Sequence, residues 1–373
     1  MKVIDVHTHM LSEAYIRLLK KHGSHYSVKK VVGGQTGIHR EGAPFMTLMP
    51  GMFDYEMRLR AMDAAGVDVA IVTLTSPNVY WGSPKVSLEA AKLVNDDMAA
   101  QQRRYGTRIR FMASLPWQHP KLALAELKRA VDDLGAVGVM VLANIDGVSL
   151  TDKKFSPIWR EIDRRGLPVL VHPTAPPGTK ELDVIKYNLI ASVGFMFDTT
   201  LAVSRMILDG FFDRYPKLKL IASHGGATLP YIAGRLDMCF DNMPACREKI
   251  SAKPSIYLKR IYYDSVVFTQ EALELAVKVG GETNVLYGSD YPHNIGDMKG
   301  CLSRVDALPP ASAPAPSAAP MNSRRVVVMG RRPPGSYRLK IRIALPPRTA
   351  SRVAGGRAST RARQPFMSPM LWG

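Results

Sequence analysis

Nine histidines are spread through the 373 residues, and four of them stand where a strand should end. His7 and His9 form a His-x-His at the close of the alternating N-terminal run Val3-Ile4-Asp5-Val6. Residues two apart on a strand share a face, so both imidazoles can meet at one point. His172 closes the apolar run Pro168-Val169-Leu170-Val171 and precedes Pro173. His224 closes the run 218–223 and precedes Gly225-Gly226; Asp290 closes 285–289 and precedes Tyr291-Pro292. Imidazole nitrogens and a carboxylate oxygen are donors that divalent zinc or manganese accepts. Grouped, they could polarise a bound oxygen through an ion and move a proton beside it.

Such a grouping needs elements that bring distant strand ends together. Apolar runs at 3–9, 67–75, 109–116, 136–144, 168–173, 218–224, 261–268 and 285–290 read as eight strands. Several, such as Val139-Met140-Val141-Leu142, are wholly apolar, as strands covered on both faces are. Between them, stretches such as 122–134, 199–208 and 271–279 repeat apolar residues at spacings of three and four, the period of an amphipathic helix. Strand–helix alternation predicts parallel βαβ units, and eight of them in about 295 residues predict a closed (β/α)8 TIM barrel, in the α/β class. A doubly wound open sheet would carry a glycine-rich phosphate turn after its first strand, whereas this strand ends in His7-Thr8-His9. Barrel enzymes place their chemistry at the C-terminal strand ends, where these residues sit. The long connection 11–51, with Gly33-Gly34 and Pro44, is expected to shape the mouth of the site.

Composition bounds the remainder. The three cysteines, Cys239, Cys246 and Cys301, form no CxxC pair and are expected to be free thiols. No run approaches the roughly 18 apolar residues of a membrane span. The charged N-terminus lacks a signal-peptide core, so the sequence reads as mature and cytoplasmic. Net charge is +18, but residues 301–373 hold thirteen Lys and Arg against the single acid Asp306, leaving +6 for the first 300. The charge lies in a Pro/Ala/Arg-rich tail and not on a folded face, which argues against nucleic acid as partner. Residues 1–300 are therefore read as the barrel and 301–373 as an irregular tail with a short strand at 338–345. The abrupt change after Gly300 is what out-of-frame translation of a GC-rich gene would produce; resequencing tests that.

His7-Val-His9, Val171-His172-Pro173, Ser223-His224-Gly225-Gly226 and Gly288-Ser289-Asp290-Tyr291-Pro292 together resemble the amidohydrolase superfamily. The closer resemblance is to its aminocarboxymuconate semialdehyde decarboxylase-like branch, with the γ-resorcylate and carboxyvanillate decarboxylases. Met62-Asp63-Ala64-Ala65-Gly66-Val67-Asp68 and Gly234-Arg235-Leu236-Asp237 support it, and the match runs from Met1 to about Gly300. The resemblance implies His7, His9, His172 and Asp290 as ligands of one ion, with His224 as general acid/base beside it. Three imidazoles and a carboxylate suit Zn²⁺, with Mn²⁺ open. Two-metal members of the superfamily carry a bridging carboxylated lysine on the fourth strand. The run 136–144 has none, which favours a single ion; Asp146 just beyond it reads as an exposed turn acid.

The function expected is metal-dependent, non-oxidative decarboxylation of a small aromatic or unsaturated carboxylic acid, by a carboxy-lyase with no organic cofactor. His224 or Asp290 would supply the proton that replaces CO2. The alternative on the same ligands is metal-assisted hydrolysis of a lactone, ester or amide, or hydration of a double bond. Trp81 and Phe195 are candidate substrate-binding walls, with Tyr80, Trp117 and Phe197 beside them. Arg235 matches a family position that binds a substrate carboxylate, which the resemblance places across the interface of a homodimer; the plain reading of the residue is a salt bridge on a helix surface. The first long loop lacks the arginine that the muconate semialdehyde enzyme carries there, since Arg40 and Arg58 do not align with it.

Overall fold

The computed structural model describes residues 2–308. Eight parallel strands form its centre: β1 Ile4–His9, β2 Val69–Thr73, β3 Ile109–Ala113, β4 Gly138–Leu142, β5 Pro168–His172, β6 Lys219–Ala222, β7 Tyr262–Asp264 and β8 Val285–Leu286. Each pairs with the next in chain order. The ring closes where Val6 N donates to Tyr287 O at 3.0 Å, Asp290 N donates to His7 O at 2.8 Å, and Thr8 bridges Tyr291. A side-chain lock reinforces the seam, because Ser289 Oγ donates to the buried Asp5 carboxylate at 2.5 Å. Every strand predicted from the sequence is present, each trimmed at its ends.

The strands are wholly buried in β1, β2, β4 and β5 because helices cover their outer face and side chains fill the barrel interior. The helices that follow successive strands are α1 Tyr55–Ala65, α2 Pro84–Arg104, α3 Pro120–Asp132, α4 Ser156–Arg165, α5 Phe195–Leu208, α6 Leu229–Asn242, α7 Gln270–Gly280 and α8 Met298–Asp306. Helix α4 illustrates the rule: Ile158, Trp159 and Ile162, three and four apart, face inward, while Arg160 and Arg164 stay outside. Trp159 packs edge-on against Phe211 and at 4.9 Å from the Trp117 ring, so truncating it to Ala would cost about 3–5 kcal/mol. Starts are capped where the sequence offers a short oxygen side chain, as with Asp54 before α1, Ser83 before α2 and Thr269 before α7.

The long first connection is not a bare loop. It forms the helix Glu13–His22 and a three-stranded antiparallel sheet, Tyr26–Lys30, Thr36–Arg40 and Ala43–Thr47, turning at Gly33-Gly34. The boundary drawn at Gly300 also shifts. Helix α8 runs through it to Asp306, burying Met298, Cys301 and Leu302, so the barrel has a closing helix. Its signal in the sequence is weak, because it is nine residues long and ends just before the composition changes. The remaining tail, with the strand expected at 338–345, lies outside the described residues. The three cysteines are free, as expected.

One helical run, 186–208, is long and apolar enough to pass a membrane-span test by composition. It is half buried and broken, however: Tyr187 has φ 55°, a π-turn fills Ile190–Gly194, and only Phe195–Leu208 is regular α-helix. Fourteen α-helical residues reach about 21 Å, short of the roughly 30 Å hydrocarbon core.

Candidate metal centre and active-site cavity

His7 and His9 leave β1 on the same face, with their Nε2 atoms 3.0 Å apart. Asp290, beyond β8, adopts φ 55°, a left-handed backbone rare outside glycine and held here by its N–H bond to His7 O. That turn aims the carboxylate inward: Oδ1 lies 3.0 Å from His9 Nε2 and 3.3 Å from His7 Nε2. The His172 ring, at the end of β5, is 5.2 Å from that of His7 and 4.8 Å from that of His9. His224 follows β6 in a second left-handed turn, φ 56°, and its Nε2 is 3.7 Å from the other carboxylate oxygen of Asp290. All five are buried. Ligand-type atoms fall into two overlapping groups that share Asp290: His7, His172 and His224 with it, and His9 and His293 with it.

Neighbouring side chains fix the imidazole tautomers. Asp264, ending β7, accepts from His7 Nδ1 at 2.5 Å and from the backbone N–H groups of His224, Gly225 and Val266 at 2.9–3.0 Å. One carboxylate therefore orients His7 and clamps the turn that carries His224. Two glycines permit this. A Cβ at Gly288 would stand about 3.0 Å from His7 Cβ and 3.1 Å from Asp264 Cβ, and one at Gly225 would strike Val267. His172 Nδ1 donates to the Pro173 carbonyl at 2.9 Å. His9 Nδ1 lies 2.9 Å from Thr73 Oγ1, whose own hydrogen can reach the Thr8 carbonyl.

With each Nδ1 so engaged, three Nε2 lone pairs and a carboxylate oxygen point at one region. Donors about 2.1 Å from a common ion stand roughly 3.0–3.4 Å apart, the spacing observed for His7, His9 and Asp290. Protonation is the other way to relieve such crowding. Burial opposes charge on His7, but Asp264 and then Asp290 outweigh it and raise its pKa to about 10. Burial lowers His9 to about 3 and keeps His172 well below its ordinary value, with neighbouring imidazoles adding to the effect. Asp290 is held well below the carboxylate range: burial opposes ionisation, but His293 and the bonds to His224, His7 and His9 prevail. The residues thus fit a divalent cation, which would replace the proton on His7.

A cavity of about 820 Å³ opens over His172, His224 and Asp290. Phe195 lines it. Trp81 and Arg235 do not: Trp81 is buried with its Nε1 donating to Asn78 O, and Arg235 is exposed on α6. Tyr80 and Trp117 are core residues and Phe197 is half exposed. Asp146 is an exposed turn residue at φ 50°. The antiparallel sheet supplies Phe45 and Met46, and the β7 and β8 connections supply Phe268 and His293. His293 Nε2 meets Thr75 Oγ1 at 3.0 Å, and its ring lies 5.0 Å from His9. Asp264 had a legible signal, as an acid at the end of an apolar run. His293 had only its place three residues past Asp290.

Eight parallel strands whose tips gather imidazoles and carboxylates define a (β/α)8 barrel with a site able to hold a metal ion. The chain belongs to the amidohydrolase family, whose model matches residues 4–312. It is 30% identical over 300 residues to a 2-amino-3-carboxymuconate-6-semialdehyde decarboxylase of Dictyostelium discoideum, covering 79% of this chain and 83% of that protein. It is 28% identical to a γ-resorcylate decarboxylase of Polaromonas sp., covering 64% of this chain and 76% of the other. Among solved structures it resembles 5-carboxyvanillate decarboxylase of Novosphingobium aromaticivorans, complexed with manganese and 4-hydroxy-3-methoxy-5-nitrobenzoic acid. That likeness has a TM-score of 0.70 and 26% identity, and covers 82% of this chain and 90% of the other.

Proposed function

We propose that this protein is a metal-dependent, non-oxidative decarboxylase of a small aromatic carboxylic acid, with one zinc or manganese ion held by His7, His9, His172 and Asp290. The observation that carries the reading is the division of labour at Asp290. Its Oδ1 stands 3.0–3.3 Å from the Nε2 atoms of His7 and His9, while its Oδ2 faces His224 at 3.7 Å across the cavity floor. The ion, when bound, would polarise the substrate's carboxylate or a neighbouring oxygen and spread developing charge.

His224 is the proton donor in this reading. Among the described residues its Nδ1 has no hydrogen-bond partner, and its ring lines the cavity, so either nitrogen can carry the proton. Asp290, held ionised by the imidazoles around it, faces that ring with Oδ2 at 3.7 Å. His224 delivers its proton to the ring carbon bearing the carboxylate; the carbon–carbon bond then breaks, its electron pair restores the ring, and CO2 leaves. Solvent at the cavity mouth returns the proton. Phe45 and Phe195, with ring centroids 6.2 Å apart, form an apolar wall for a planar substrate.

A panel of hydroxybenzoates assayed for CO2 release, beside lactones assayed for ring opening, tests the proposal. Metal-dependent CO2 release is expected; turnover confined to lactones would replace decarboxylation with hydrolysis.

A further inference from the structure

Helix α1 turns Tyr55, Arg58 and Met62 toward the interior, a stripe at spacings of three and four whose middle member is a cation. Arg58 has no exposed surface. Among the described residues its nitrogens meet only neutral atoms: Nη1 donates to Thr8 Oγ1, Nη2 to the His9 carbonyl and, at 3.5 Å, to the Tyr291 carbonyl, and Nε to Met10 Sδ at 3.0 Å. The guanidinium carbon stands 4.9 Å from the centre of the Tyr291 ring. The Asp5 carboxylate acts on it through space only, being given over to Ser289 Oγ and the His7 N–H. An apolar side chain of similar length would fill this place without the cost of desolvating a charge, so packing alone does not account for the arginine.

What Arg58 touches is the backbone that carries the candidate metal ligands. Thr8 and His9 belong to β1, which bears His7 and His9, and Tyr291 directly follows Asp290. The Tyr291 carbonyl accepts from His9 N and from Thr8 Oγ1, both at 2.8 Å, beside the longer contact from Arg58. A planar guanidinium offers its donors as a fixed fork, so one side chain can hold the β1 tip and the turn after β8 in a single register. That register sets the separations of 3.0 Å and 3.3 Å between Asp290 Oδ1 and the Nε2 atoms of His9 and His7. An ion whose ligands must stand about 2.1 Å away tolerates little error in such spacings.

We infer that Arg58 is a positioning residue for the metal centre: from behind β1 it locks the strand that carries His7 and His9 to the turn that carries Asp290. It does not line the cavity, so it acts only through those ligands. This rests on the metal-dependent reading of the same site and adds to it a buried cation that tunes how tightly the ion is held.

The test is competitive Mn²⁺ titration of the full chain, wild type beside Arg58→Lys, with near-ultraviolet circular dichroism showing that each is folded. Lysine keeps the charge and loses the fork, so Mn²⁺ should bind roughly tenfold more weakly, the scale on which the supports of a metal ligand count. Thr8→Val removes the hydroxyl that Arg58 and the Tyr291 carbonyl share, at little change in volume, and should also weaken binding. Because the two form one linkage, the double variant should lose less than the product of the single losses. An arginine that serves only the fold would lower the unfolding midpoint of the metal-free protein and leave the Mn²⁺ affinity of the folded molecules unchanged; that result, or losses that simply multiply, overturns the inference. Should Arg58→Lys not fold, Thr8→Val decides alone, and binding within about twofold of wild type counts against the linkage. A wild type that binds no Mn²⁺ removes the metal reading together with the inference. One that binds Mn²⁺ but releases no CO2 from hydroxybenzoates removes the decarboxylase reading only, and the titration still decides for or against Arg58.

Discussion

Replacing Asp264 by Asn keeps the shape of a fully buried side chain but removes its charge and reverses part of its hydrogen-bonding sense. The carboxylate accepts four bonds, with His7 Nδ1 and His224 N on Oδ2, and Gly225 N and Val266 N on Oδ1. An amide offers one oxygen and one donor. If its oxygen takes the His7 side, two backbone N–H groups face an NH2 and go unsatisfied, at about 1–3 kcal/mol each, or about 2–6 kcal/mol of stability. If the oxygen takes the other side, the amide donates to His7 Nδ1, Nε2 must carry the proton, and the lone pair needed by the ion is lost. Disturbing a partner of a ligand histidine costs about 10–100-fold in metal affinity, or about 1.4–2.7 kcal/mol. Denaturant unfolding of the metal-free protein and competitive Mn²⁺ titration read the two effects. A variant that unfolds at the wild-type midpoint and binds Mn²⁺ within about threefold of wild type would refute the role assigned to Asp264.

His224→Gln should keep its metal and lose about 10²–10⁴-fold in kcat, the usual contribution of a positioned proton donor; metal loss in that variant, read by elemental analysis, would make His224 a ligand. Chelation of the ion should abolish CO2 release while the far-ultraviolet circular dichroism keeps its barrel signature, since most of the core is remote from the site. Thr73→Val, which removes the partner of His9 Nδ1, should weaken Mn²⁺ binding about tenfold, measured by the same titration. On α4, the Arg164 hydrogen bond, opposed by burial and helped by Arg165, holds the Glu161 carboxyl down to about 2. A carboxyl so depressed stabilises the fold above its ordinary pKa of 4.5 and loses that contribution as pH falls toward 2. Glu161→Gln should therefore be less stable than wild type at about pH 6, with the gap closing near pH 3 in denaturant midpoints; a gap that widens on acidification contradicts the linkage.

The eight strands were legible because parallel strands buried on both faces are written as unbroken apolar runs, such as Val139 to Leu142. The site was legible where a chemically distinctive residue ends such a run, as at His7, His9, His172, His224 and Asp290. Asp264 follows the same rule, but Ser265-Val266-Val267-Phe268 prolong its run and disguise the strand's end at three residues. What surrounds the site was less legible. Trp81 and Phe45 are both large aromatics on connections, and only the paths of those connections decide that Phe45 faces the cavity while Trp81 enters the core. Arg58 reads as a surface helix charge, yet it lies fully buried behind β1. Such placements depend on side-chain packing across elements far apart in sequence, which periodicity does not encode.

Convergence of separate strand tips on a single ion is tested most directly by counting metal per chain. Full-length protein exposed to Zn²⁺ or Mn²⁺ and then desalted would be measured by plasma mass spectrometry beside His9→Ala, His172→Ala and Asp290→Ala. Wild type should retain one equivalent and each folded variant close to none. A wild type that holds no metal, or variants that keep a full equivalent, would contradict it.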